Sequence, residues 1–181
     1  YTKLVQPINQ YASQEYLLGL KILDLSPNKV PNINKISQKI STLTNWKLIP
    51  VSGFLDENVF FSLNANRKFP VTDIIRRSVR FKAKYKDIQI ENEEGYTPEP
   101  DIFHDVFGHA PFLTDHRYTK FLADLGKLGL ELITDKRGLG EELVDHNLKR
   151  LQNLAWWTYE FGIMKKQKKT DNFRNKENDI D

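Results

Sequence analysis

Apolar residues recur at helical spacing over most of the chain, which predicts a mainly helical protein. A dense apolar set predicts one helix from Ser13 to Leu25, which the residues SPN at 26–28 should end. A second amphipathic helix is indicated by four apolar residues at helical spacing: Ile33, Ile36, Ile40 and Leu43. We expect both helices to pack against the core.

The middle of the chain has shorter apolar runs with turn and cap signals between them. The run KLIPV at 47–51 predicts a short strand, and Gly53 a turn. Asp56 is suited to cap a helix that Pro70 should break. The segment VRFKAKY at 79–85 alternates apolar and basic residues, which predicts a half-buried strand with a basic face.

The C-terminal half predicts two further helices. One should run from Tyr118 to Leu132, and after the glycine-rich RGLG at 137–140 another from about Glu141 to Ile163. Trp156 and Trp157 make the end of this last helix apolar nearly all round. We therefore expect that end to be buried.

Composition narrows the class of protein. The 181 residues, 39% of them hydrophobic, suit one globular domain, and the lack of cysteine leaves imidazole and oxygen ligands for any transition metal. A chain with no secretion signal at its start and no apolar run that could span a bilayer is expected to be soluble and cytoplasmic, without a membrane partner. The net charge of +3 is dispersed, and the polar segment 165–181 is expected to be a disordered tail rather than a nucleic-acid site.

Glu160 is an unusual residue in its predicted helix, because Trp156 and Trp157 lie one turn before it. An unpaired buried carboxylate is costly, so a cation should hold it. A bound metal ion would serve. On this helix alone, pairing with arginine or lysine, or access to solvent, is the favoured alternative.

His104 and His109 offer further ligands. On an ideal α-helix their spacing places them about 140° apart, so a continuous α-helix would not aim both at one ion. Gly108 and Pro111 would allow the helix to end and His109 to turn back. Together with Glu160, the histidines suggest a two-histidine, one-carboxylate facial site, which suits Fe(II) and leaves positions open.

Three ordered segments resemble one family. EPDIFHDVFGHAPFL at 99–113 closely resembles the iron-binding signature of pterin-dependent aromatic amino acid hydroxylases. WWTYEFGI at 156–163 is similar to the segment that supplies their carboxylate ligand, and PVSGFLDENVFFSLNANRKFPVT at 50–72 resembles their bacterial phenylalanine hydroxylase branch. The resemblance implies that residues 1–164 form part of a single, irregular, mainly α catalytic domain with a few short strands around a non-haem iron.

The resemblance also implies residue roles. His104, His109 and Glu160 would bind the iron, with no catalytic residue beyond these ligands. The remaining positions would contact the pterin or the amino acid substrate: Leu55, Phe60 and Asp105 for the pterin, and Arg76, Thr97, Pro100 and Trp156 for the substrate. Arg76 would hold the substrate carboxylate. Without the resemblance, Phe60 would be interpreted as core, Arg76 as a surface charge and Thr97 as a turn residue.

The function implied is a monooxygenation that hydroxylates the ring of an aromatic amino acid with Fe(II), a tetrahydropterin cosubstrate and dioxygen. The expected reaction is the conversion of phenylalanine to tyrosine. The protein would be a monomer whose partners are small molecules, without nucleic acid.

The chain departs from the family pattern in two places. Ala155 replaces a tyrosine, and the charged tail stands where the family continues into a YGAGLLSS-like segment. These departures motivate an alternative, a non-catalytic shortened homologue or fragment that keeps a metal or ligand site. A zinc hydrolase is disfavoured because HDVFGH lacks the H-E-x-x-H pattern.

Overall fold

The computed structural model describes residues 5–26, 28–53, 55–75, 100–135, 137–160 and 162. The described residues contain six α-helices, two short strands, two π-helices and one 3₁₀-helix. The α-helices are α1 (Val5–Tyr11), α2 (Gln14–Leu23), α3 (Ile33–Thr44), α4 (Glu57–Ala65), α5 (His116–Ile133) and α6 (Glu141–Ala155). The strands are β1 (Lys47–Val51) and β2 (Lys68–Thr72); the first π-helix is His104–His109, the 3₁₀-helix Ala110–Thr114 and the second π-helix Trp156–Glu160. The predicted mainly α architecture is confirmed.

Side-chain caps fix the starts of the predicted helices. The Ser13 hydroxyl accepts a hydrogen bond from the N–H of Tyr16 at the start of α2, and the Asn32 amide oxygen caps α3. Asp56 caps α4 as predicted. In α3, three isoleucines face the core, whereas Leu43 is 42% exposed and the neighbouring Thr44 is buried instead.

The strands form a two-stranded parallel sheet in which Lys47 pairs with Lys68 and Val51 with Thr72. Parallel strands need a crossover, and α4 provides it. The strand β2 was not predicted, because Pro70 was interpreted only as a helix breaker. In this two-stranded sheet both strands are edges, so a residue without an N–H is tolerated at that position.

Helices α4 and α5 pack closely, and two core clusters meet around them. A β-carbon at Gly126 of α5 would lie 2.4 Å from the backbone nitrogen of Ala65, so only glycine permits this approach. The first cluster joins α2, α3, both strands, the first π-helix and α5, with Ile40, Val106 and Leu122 fully buried. The second cluster joins α4, α5 and α6.

The predicted long C-terminal helix differs from the structure. The α-helix ends at Ala155 and continues as the second π-helix. Trp156 and Trp157 are 50% and 75% exposed, so the expectation that this end is buried is wrong. Ala155 belongs to the second core cluster, and Tyr159 packs against both clusters.

The predicted strand at 79–85 and the predicted tail at 165–181 lie outside the described residues. Among the described helices, none has the length and apolarity needed to cross a membrane.

Candidate metal centre

The first π-helix brings His104 and His109 to the same side of the chain. In a π-helix the backbone hydrogen bond joins residues five apart, and here the N–H of Ala110 donates to the carbonyl of Asp105. Residues five apart therefore lie about one turn apart and on the same face, whereas in an α-helix they would be separated by about 140° around the axis. The predicted helix end at Gly108 is wrong, because Gly108 lies inside the π-helix and does not adopt a positive φ.

The second π-helix carries Glu160 to the two histidines. Oε1 of Glu160 lies 3.2 Å from Nε2 of His109, and Oε2 lies 3.7 Å from Nε2 of His104. One potential ligand atom from each of these three side chains falls within 4.8 Å of the others. Among the described residues, Glu160 forms its ion pairs with these histidines and with no arginine or lysine, so the alternative of a basic partner is not supported.

Asp105 fixes the orientation of the His104 ring. Its Oδ2 accepts a hydrogen bond of 2.6 Å from the backbone N–H of Thr72 at the end of β2, and its Oδ1 lies 2.8 Å from Nδ1 of His104. When Nδ1 donates this bond, the lone pair of Nε2 points toward Glu160 and is free for a metal. Asp105 is only 7% exposed, so this orientation is held from inside the protein.

His109 is held by packing. It is 5% exposed, and its ring centroid lies 5.4 Å from that of Phe69 and 5.9 Å from that of Tyr159. Its Nδ1 is buried and has no hydrogen-bond partner within the part of the chain that the structure describes. The two histidines therefore differ, since a carboxylate orients one ring and aromatic contacts surround the other.

The charged groups of this cluster shift one another's pKa values. The hydrogen bond to Asp105 and then the ion pair with Glu160 raise the pKa of His104 to about 10. Burial would raise the pKa of Glu160, but its ion pairs with His104 and His109 outweigh burial and lower that pKa to about 2. The cluster thus favours a carboxylate beside positive charge, which a divalent ion would supply.

The donor set fits iron. Ligands about 2.1 Å from a metal and at right angles to one another lie roughly 3 Å apart, close to the two nitrogen–oxygen separations of 3.2 and 3.7 Å. Two imidazoles and one carboxylate are the facial set of mononuclear Fe(II) oxygenases. Geometry and chemistry therefore agree on a divalent metal.

The other predicted site residues have different positions. Phe60 is half-buried and packs against the second core cluster, with its ring centroid 5.8 Å from that of Phe61. Leu55 and Pro100 are partly exposed. Arg76 and Thr97 lie outside the described residues.

Comparison with known proteins identifies the family of the chain. Biopterin-dependent aromatic amino acid hydroxylases match residues 1–176 as a family, a range that includes all three candidate ligands. The chain belongs to this family.

Named relatives of the chain are phenylalanine hydroxylases. Phenylalanine-4-hydroxylase of Caulobacter vibrioides is 35% identical over 91% of this chain and 48% of its own length. A structure of the Chromobacterium violaceum enzyme bound to cobalt is 31% identical, with a TM-score of 0.70 over 87% of this chain and 49% of that one. Another, with bound iron(III) and 7,8-dihydrobiopterin, is 34% identical, with a TM-score of 0.63 over 82% and 46%. The chain spans about half the length of the relatives it matches.

The sequence did not predict two residues that support the candidate metal centre. Tyr159 packs against both core clusters and against His109, and burial raises the pKa of its hydroxyl. Its position directly before Glu160 was the available signal. Thr72 contributes its backbone N–H, which no pattern of side chains reveals. A prediction of β2 would have placed Thr72 at the end of that strand.

Proposed function

We propose that the protein hydroxylates the ring of phenylalanine to give tyrosine, using Fe(II), a tetrahydropterin and dioxygen. The observation that carries this proposal is the convergence of His104, His109 and Glu160 from two π-helices in a member of the biopterin-dependent hydroxylase family. The relatives' names supply the substrate, and a relative with bound iron and dihydrobiopterin supplies the cofactors.

The side chains of this chain would bind and orient the metal. When bound, iron supplies the activation of dioxygen that the protein's own groups cannot perform. His104, His109 and Glu160 would hold it on one face, and Asp105 would keep a proton on Nδ1 of His104 so that Nε2 remains a ligand. Phe69 and Tyr159 would exclude water from the buried side of His109.

Substrate and pterin contacts are also proposed. Leu55, Phe60 and Asp105 would contact the pterin, the role that the family resemblance implies for them. The amino acid substrate would be bound by four residues: Arg76, Thr97, Pro100 and Trp156. The 50% exposure of Trp156 leaves its ring accessible to a ligand.

The organisation of the protein is a further proposal. Residues 1–164 would form one catalytic domain and the protein would be a cytoplasmic monomer, in keeping with its lack of cysteine. Light scattering after size-exclusion chromatography would test the monomer, and cell fractionation the location.

The test of function is an assay for tyrosine. The 181-residue chain, loaded with Fe(II) and supplied with phenylalanine, tetrahydropterin and dioxygen, should form tyrosine, detected by liquid chromatography. His109→Ala is the control and should form none. Metal bound without tyrosine would favour the non-catalytic alternative, and zinc rather than iron in protein purified without added metal would contradict the iron assignment.

A further inference from the structure

Helix α2 packs against the 3₁₀-helix that directly follows the two histidines. A β-carbon at Gly19 would lie 2.1 Å from the carbonyl oxygen of Pro111, so α2 touches the backbone of the 3₁₀-helix directly. Tyr16, one turn earlier on α2, lies on the same face, and its ring centroid is 5.2 Å from that of Phe112. This contact is made from outside the metal centre, by a helix that contributes no ligand.

The Tyr16 hydroxyl makes a specific bond to this turn. It donates a buried hydrogen bond of 2.6 Å to the carbonyl of Phe107, a residue between the two histidines. In an α-helix this carbonyl would accept from the N–H of residue 111, but residue 111 is proline and has no N–H. Proline at 111 thus rules out the α-helical bond to this carbonyl, and the tyrosine hydroxyl adds a buried bond to it from another helix.

The two candidate ligands differ in what holds the ring nitrogen that points away from the candidate metal position. His104 is oriented by Asp105, whereas Nδ1 of His109 has no hydrogen-bond partner among the residues that the structure describes. Apart from the contact of its Nε2 with Glu160, the His109 ring is thus held by packing and by the backbone that carries it. Phe107 is two residues from His109, so a bond that fixes its carbonyl also restrains the backbone at His109.

We propose that Tyr16 is a positioning residue for metal binding, which holds the π-helical turn in the conformation that aims His109 at the metal. The proposal rests on the metal centre of the proposed function. Tyr16 does not touch the metal, and its effect is transmitted through the Phe107 carbonyl.

The test compares cobalt binding by the parent chain, Tyr16→Phe and a matched control. Thr44→Val is the control because the Thr44 hydroxyl also donates a buried hydrogen bond, of 2.8 Å, to a carbonyl of the same region, that of Leu113, beyond both ligands. Co(II) is a suitable probe because a solved relative binds it. The dissociation constant, the visible spectrum of bound Co(II) and the melting temperature without metal would be measured for each chain.

Tyr16→Phe should raise the dissociation constant about tenfold, the lower end of the range for groups that orient metal ligands, and should alter the cobalt spectrum. Thr44→Val should lower the melting temperature but leave affinity and spectrum as in the parent. Unchanged cobalt binding by Tyr16→Phe, or equal weakening in both variants, would overturn the proposal. A parent chain that binds no cobalt would refute the metal centre itself and this role with it.

Discussion

Replacing Asp105 by asparagine is expected to weaken metal binding while the protein stays folded. The Asp105 carboxylate accepts from the Thr72 N–H on one oxygen and from Nδ1 of His104 on the other. An asparagine whose oxygen keeps the Thr72 bond must turn its NH₂ group toward His104. The ring then becomes an acceptor at Nδ1 and carries its proton on Nε2, the atom that faces Glu160.

The magnitude follows from the bond that is lost. A hydrogen bond to a charged group contributes about 1.5–3 kcal/mol, and here the charged acceptor is buried. Groups that orient metal ligands typically change affinity by about 10- to 100-fold, which corresponds to about 1.4–2.8 kcal/mol. The two figures agree, so the Co(II) dissociation constant should rise within that range. The fold should lose less, because the Thr72 bond persists.

The assay is a Co(II) titration followed by visible absorption, with thermal unfolding measured on the same samples. Asp115→Asn is the matched control, because it makes the same chemical change at the N-cap of α5, where asparagine caps about as well as aspartate. The control should bind cobalt like the parent chain. Parent-like affinity in Asp105→Asn would refute the tautomer argument, and an unfolded variant would show that Asp105 mainly supports the fold.

Other predictions concern stability. Co(II) at about 100 times its dissociation constant should raise the unfolding free energy by about 2.7 kcal/mol, whereas Glu160→Gln should show no such gain in denaturant titrations. Gly126→Ala should lower the free energy of unfolding by about 1–3 kcal/mol, because its β-carbon would lie 2.4 Å from a backbone nitrogen of α4. Gly108→Ala should be tolerated, because nothing lies within 4 Å of that position. Equal urea midpoints for the two variants would contradict this prediction. Asp115→Ala should cost about 1 kcal/mol at pH 7. A hydrogen bond to Arg117 lowers the pKa of Asp115 below 3.8, so its stabilisation is present above about pH 4 and is lost as the pH falls through the lower, folded-state value. Urea titrations at several pH values should therefore show the difference shrink in acid, and a constant difference would argue against this assignment.

The parts of the fold that could be predicted from sequence are those that local chemistry decides. Ser13 and Asp56 cap helices through their own side chains, and the three isoleucines of α3 repeat at a helical period. The candidate ligands could be found because two histidines and a glutamate expected among apolar rings suggest a shared metal ion. The iron-binding roles proposed for them come from the family resemblance.

The predictions that were wrong concern features that depend on tertiary context. β2 contains Pro70 and forms because β1 lies beside it, which a local pattern does not show. Trp156 and Trp157 are apolar, yet the face they occupy is not covered by any described element, so hydrophobicity alone predicted the wrong burial. The expectation that Leu43 faces the core was wrong for a similar reason. Thr44 occupies the buried position beside it, and its hydroxyl donates a hydrogen bond to the carbonyl of Leu113.

The first π-helix explains why the spacing of the two candidate histidine ligands looks unsuitable in sequence although their side chains meet in space. An α-helix separates residues five apart by about 140°, so the histidine spacing argues against a shared metal only if the helix is α. A π-helix removes that objection, and such turns are rare and frequently lie at functional sites. Here Pro111 prevents the α-helical bond to the Phe107 carbonyl, and Tyr16 donates to that carbonyl instead. The unusual turn thus depends on a hydroxyl 91 residues away along the chain, so the site's geometry could not be read from the motif alone.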